Sequence, residues 1–117
     1  MYKIRKEFHF SASHVLNGLP ENHPCSRLHG HNYVITVELQ SKTLNEVGFV
    51  VDYRALDDIK QFIDGTLDHR HLNDMVLYNP TAENMAKDFY EFFHTLHPEV
   101  CAVEVCETPK TSARFEP

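Results

Sequence analysis

Residues 25 to 31 read Cys-Ser-Arg-Leu-His-Gly-His, and the run Phe8-His9-Phe10-Ser11-Ala12-Ser13-His14 also ends on a histidine. One thiol and three imidazoles are donor types that zinc accepts. Three histidines with an open fourth position make a catalytic centre, whereas four protein ligands make a structural one. Cys25 leaves that choice open. It reads as a fourth ligand, as a reactive thiol favoured as thiolate by nearby positive charge, or as a plain loop cysteine. Two further stretches carry chemistry. Asp68 and His69 stand side by side in Leu67-Asp-His-Arg-His-Leu-Asn73, where a carboxylate can orient an imidazole; the alternative is an ordinary turn. Glu107 ends the run Val103-Glu-Val-Cys-Glu107. A carboxylate there accepts either from paired N–H donors of a ligand or from a structural cation.

The surrounding pattern shows how these residues are held. In the first segment Tyr2, Ile4, Phe8, Phe10 and Ala12 alternate with polar residues, which predicts a half-buried strand broken only by Lys6. His31-Asn-Tyr-Val-Ile-Thr-Val-Glu-Leu-Gln40 alternates again, with Tyr33, Ile35, Val37 and Leu39 on one face. Stepping by two from Phe8 reaches His14, and stepping back by two from Leu39 reaches His31 and His29. All three histidines therefore fall at the ends of apolar faces. Their convergence is costly unless they are hydrogen-bonded or bound to metal. His9 falls on the polar face.

Gly48 to Val51 reads as short and extended. Asp52 is placed to cap a helix carrying Leu56, Ile59 and Ile63. Residues 66–74 form a polar interruption. Thr81 caps a second helix with Met85, Ala86, Phe89, Phe93 and Leu96 in phase. Residues 100–108 read as a third strand and 110–116 as a fourth. Cys101 and Cys106 read as buried core thiols. The order ββααββ predicts an α+β domain over residues 1–117, a four-stranded antiparallel sheet with two helices on one face.

Composition narrows the function. The 117-residue chain carries a formal charge of −6, which argues against a nucleic-acid partner. No apolar run is long enough to span a membrane, and no signal-peptide core follows the N-terminus. Three cysteines, an odd count without a secretion signal, point to reduced thiols and a cytoplasmic protein.

The runs Phe-Ser-Ala-Ser-His14, Cys25-Ser-Arg-Leu-His-Gly-His-Asn-Tyr33, Gly48-Phe-Val-Val-Asp-Tyr53, Leu67-Asp-His-Arg-His-Leu-Asn73, Asn79-Pro-Thr-Ala-Glu-Asn84 and Glu107-Thr-Pro109 occur in this order. Together they resemble the 6-pyruvoyl-tetrahydropterin synthase family, including its bacterial branch, the 6-carboxytetrahydropterin synthases of the queuosine pathway. The resemblance implies that His14, His29 and His31 hold Zn2+, that Cys25, Asp68 and His69 form the catalytic set, and that Glu107 anchors a pterin ring. It implies a zinc-dependent carbon–carbon lyase acting on a pterin triphosphate, 7,8-dihydroneopterin triphosphate. It also implies the tunnelling fold, with trimers stacked as a homohexamer and sites at subunit interfaces. The three-residue gap between Cys25 and His29 looks like the bacterial branch. Arg27 and Lys110 are candidates for binding the phosphates.

Overall fold

The computed structural model describes residues 1–117. Strands β1 (Tyr2–His14) and β2 (His29–Ser41) pair antiparallel along their whole length, from Tyr2 opposite Ser41 to His14 opposite His29. β4 (Val100–Thr108) adds antiparallel to β2, and β5 (Thr111–Phe115) to β4. A two-residue strand, β3 (Arg70–His71), lies parallel to β1 at its outer edge. The sheet order is β3-β1-β2-β4-β5. The sheet is therefore five-stranded and mixed rather than four-stranded and antiparallel. A two-residue strand is too short to show the alternation that marks a strand in sequence.

Alternation along β1 buries Phe8, Phe10, Ala12 and His14 and leaves Glu7 and His9 exposed. Lys6, the break in the pattern, lies in phase with the core side. It carries its ammonium out to 5.5 Å from the Phe8 ring centre and 3.3 Å from the Tyr53 carbonyl. On β2, Tyr33, Ile35, Val37 and Leu39 are fully buried.

The helix expected after Asp52 is a composite. Asp52 caps a tight turn, Tyr53–Leu56, by accepting from the Arg54 amide at 2.9 Å. Helix α1 (Asp57–Phe62) follows, then a wider π turn, Ile63–Leu67, closed by the Asp68 amide on the Ile63 carbonyl at 3.0 Å. Gly65 and Thr66, both weak helix formers, lie in that turn. Helix α2 (Leu72–Met75) is a single short turn. Helix α3 (Ala82–Leu96) starts where the sequence places it, with Thr81 Oγ1 accepting from the Asn84 amide at 3.1 Å. Residues 48–51 are not a strand. Asn45 Oδ1 gathers the amides of Val47 and Phe49, and Gly48 takes a φ of 91° that closes the loop.

The inner faces of the strands and the helices bury one continuous cluster, so there is one core. Phe89 and Phe93 of α3 stack at 5.8 Å within it. Burial of each ring contributes about 1.5–3 kcal/mol. Cys101 and Cys106 are not core thiols. Both are half-buried, and Cys106 and Glu104 lie on the opposite face from Val103 and Val105. Cys101 donates to the Glu38 carbonyl at 3.4 Å and Cys106 lies 3.7 Å from Glu104 Oε1. Burial first, and then these carboxylates, push both thiols above their ordinary range.

Beyond β3, side chains continue the pairing of β1's outer edge. Asn73 accepts from the Val15 amide and donates to the Val15 carbonyl, both at 2.8 Å. Asn79 does the same for Asn17, at 2.9 and 3.0 Å. Each asparagine substitutes for a strand residue and holds the chain as it leaves His14. Asn73→Leu strips both partners from Val15, and we expect a stability loss of about 1–3 kcal/mol in urea denaturation. Lys87→Ala, on an exposed pair, is expected to stay within about 0.5 kcal/mol of the parent.

Candidate active site

His14 and His29 face each other across the last register pair of the hairpin, and His31 stands two residues along on the same face. Their ligand atoms all lie within 4.8 Å of one another. His14 is fully buried; His29 and His31 are half-buried. Cys25 lies in a tight turn, Pro24–Ser26, that His23 caps through its ring nitrogen. It is not a member of the histidine group.

The hydrogen bonds assign the tautomers. His14 Nδ1 lies 2.9 Å from the Pro80 carbonyl, and His29 Nδ1 lies 2.7 Å from the Arg27 carbonyl. A carbonyl only accepts, so each Nδ1 carries the proton. The two rings thereby turn their Nε2 atoms toward each other, 2.9 Å apart. Two lone pairs at that distance repel unless a cation or a proton lies between them. Burial, the largest influence, lowers the pKa of His14, and His29 and His31 add to it against the raising effects of the Pro80 carbonyl and Glu107. Burial lowers His31 as well, against the raising effect of Glu107. Neutral imidazoles with outward N–H groups fixed on carbonyls are how metal-binding histidines are usually held. The donor set fits a divalent cation, and three imidazoles suit zinc.

Glu107 comes to the same place from β4. Its Oε2 lies 3.7 Å from His31 Nε2, beyond hydrogen-bond reach, with the carboxylate a quarter exposed. It lines a cavity of about 400 Å³ with Ala82 and Glu83 at the start of α3 and residues 111–114 of β5. Glu83 was not singled out in the sequence. It stands on an exposed helix turn, and only the fold brings it to Glu107.

Asp68 and His69 are placed differently. Asp68 Oδ1 accepts from the Ser11 amide at 2.9 Å, and the His69 amide donates to the Ser11 carbonyl at 2.7 Å. Their contact is 3.4 Å, from His69 Nδ1 to the same Oδ1. His69 is held at a φ of 58°, a left-handed conformation that non-glycine residues rarely adopt, and its ring is largely exposed. It borders Ser11, Ser13 and Asn32, which alternation puts on the sheet face opposite the imidazole cage. Within one chain neither residue bonds to Cys25. Arg27 and Lys110 are exposed, and Arg27 serves the site through its carbonyl.

The sequence pattern that defines the 6-pyruvoyl tetrahydropterin synthase family matches residues 3–117. The chain belongs to the 6-pyruvoyl tetrahydropterin synthase family. It is an enzyme of that family, a lyase. The 6-carboxy-5,6,7,8-tetrahydropterin synthase of Bacillus subtilis is 30% identical, over 99% of this chain and 86% of that protein. Its counterpart in Rickettsia bellii is 30% identical, over 93% of this chain and 96% of that protein. Among solved structures, Caenorhabditis elegans 6-pyruvoyl tetrahydropterin synthase superposes with a TM-score of 0.88 at 26% identity, covering 99% of this chain and 95% of that one. The fold is thus the tunnelling fold of this family. No helix is long and apolar enough to cross a membrane.

The lone-pair arrangement makes a direct prediction. Purified parent protein is expected to carry about one divalent ion per chain. His29→Ala and His31→Ala are each expected to lose most of it in metal analysis, while His9→Ala on the polar face keeps it. Full occupancy in both cage variants would remove the metal assignment.

Proposed function

We propose that this chain is a zinc-dependent 6-carboxytetrahydropterin synthase. It converts 7,8-dihydroneopterin triphosphate to 6-carboxy-5,6,7,8-tetrahydropterin, releasing acetaldehyde and triphosphate, a step in making queuosine and other 7-deazaguanines. The observation that carries the reading is the three-imidazole cage with a carboxylate 3.7 Å from one of its rings. The names of the Bacillus and Rickettsia relatives support the product. A second reading, triphosphate elimination to 6-pyruvoyltetrahydropterin, is favoured by the Caenorhabditis neighbour's name. A purely structural zinc module needs Cys25 as fourth ligand, and the place of Cys25 outside the histidine group speaks against it.

Zinc held by His14, His29 and His31 supplies Lewis acidity toward a hydroxyl on the substrate side chain. The roles of the protein groups are those that the family resemblance implies. Glu107 accepts from the paired N–H edge of the pterin ring, which fixes the ring and aims the side chain toward the cage. Cys25, as thiolate, takes a proton from the side chain. His69, steadied by Asp68, supplies the partner acid or base. His69 lies on the face away from the cage, so we assign it to the site of a neighbouring subunit. The assembly that allows this is a hexamer, a dimer of trimers.

Five measurements test this. Cys25→Ala is expected to keep its metal and fold while turnover of 7,8-dihydroneopterin triphosphate falls by at least about 100-fold. Loss of metal in that variant would favour the structural module instead. Chromatography of the products identifies 6-carboxytetrahydropterin or its pyruvoyl counterpart. Glu107→Gln is expected to weaken neopterin binding about 10–100-fold in calorimetry, with Glu104→Gln unchanged. Equal affinities would leave Glu107 an ordinary structural carboxylate. Cys25→Ala and His69→Ala subunits, each inactive, are expected to regain activity when reassembled together. A monomer by light scattering at micromolar concentration would exclude a shared site.

A further inference from the structure

On the sheet face opposite the cage, a shallow depression of about 380 Å³ lies over the paired ends of β1 and β2. Ser11, Ser13, Asn32, His69 and Arg70 line it, and His31 of the cage borders it as well. Gly30, opposite Ser13 in register, leaves its floor open. Its polar groups are mostly donors. Ser11 Oγ donates to Asn32 Oδ1 at 2.7 Å, which leaves the Asn32 amide nitrogen with both hydrogens unused inside the chain. Ser13 Oγ lies 2.9 Å from His71 Nδ1 and is oriented by it. Arg70 gives one long contact, 3.3 Å, to the Gly65 carbonyl and keeps the rest of its guanidinium for solvent or a ligand. The neighbouring carboxylate, Asp68, is turned to the Ser11 amide. The result is a cationic, donor-rich patch on a chain whose net charge is −6.

We infer that this depression receives the phosphate chain of a substrate whose other end lies in a neighbouring subunit's cage, with Arg70 as its principal cation. The inference rests on the pterin-triphosphate reading above and adds the group that binds the phosphates. A guanidinium fork matches phosphate oxygens in pairs, and the Asn32 amide adds two N–H donors beside it. The volume holds more than one oxyanion. His31 of the cage borders the depression, but alternation turns Ser11, Ser13 and Asn32 to the other face, so the far end of the ligand is assigned to a neighbouring copy's cage. His69 at the rim lies between the two ends of such a ligand. Arg27 and Lys110, the charges the sequence suggests, are not among the residues lining it.

The experiment is calorimetry on the assembled, metal-loaded protein with two probes, inorganic triphosphate and neopterin lacking phosphate. Arg70→Gln is expected to weaken triphosphate binding at least about tenfold and to leave neopterin affinity and zinc content unchanged. Arg70→Lys, which keeps the charge but not the fork, is expected to fall between. Arg27→Gln and Lys110→Gln are expected to bind triphosphate as the parent does. Triphosphate binding at parent strength in Arg70→Gln, or no triphosphate binding by the parent, overturns the inference. Loss confined to Arg27→Gln or Lys110→Gln does the same. If neopterin fails to bind the parent while triphosphate binding still depends on Arg70, the anion site stands and the pterin reading fails.

Discussion

Two imidazole nitrogens held facing each other at 2.9 Å are the constraint on which this structure turns. Neither histidine can rotate its ring to relieve the contact without giving up a carbonyl partner on the other side. The Pro80 carbonyl holds His14 and the Arg27 carbonyl holds His29. Those carbonyls come from distant parts of the chain, the entry to α3 and the turn after Cys25. The orientation of the two rings is therefore set by backbone carbonyls as well as by their places on the sheet. A substitution that shifts residue 80 or residue 27 disturbs the cage without touching a ligand.

The long connection between β1 and β2 and the segment 68–79 both serve this geometry. The first returns the chain so that His29 meets His14 in register. The second runs along the outer edge of β1 and occupies its hydrogen bonds from Ser11 to Asn17 in turn: the Asp68 carboxylate, the His69 amide, β3, Asn73 and Asn79. The same segment thereby fixes His69 and Arg70 on one face of the sheet while Pro80, a few residues on, steadies the cage on the other.

Much of this was legible in the sequence. Period-two alternation put His14, His29, His31 and Glu107 on the inner face, because strand geometry leaves no other choice once the apolar residues are buried. The helical spacing of Met85, Ala86, Phe89 and Phe93 placed α3 equally well. What sequence periodicity could not carry were interactions without a period: the π turn before Asp68, the two-residue β3 and the asparagine clamps. Residue type misplaced Cys101 and Cys106, although the alternation that sets Glu107 inward already turns Cys106 outward with Glu104. The pairing of Asp68 with His69 was legible from their adjacency, but its second use, on the Ser11 amide, depends on where a strand fifty-seven residues away lies.

The two asparagine clamps differ in how they withstand chemical ageing. An amide that hydrolyses to a carboxylate keeps its acceptor but loses its donor, and it sets a negative charge against the backbone carbonyl it once held. Slow hydrolysis of this kind runs through attack by the following backbone nitrogen. Asn79 is followed by Pro80, whose nitrogen bears no hydrogen and cannot close that ring. Asn73 is followed by Asp74 and has no such protection beyond its own hydrogen bonds to Val15. The proline that orients His14 through its carbonyl thus also shields the clamp before it, and the lifetime of the edge is set at residue 73.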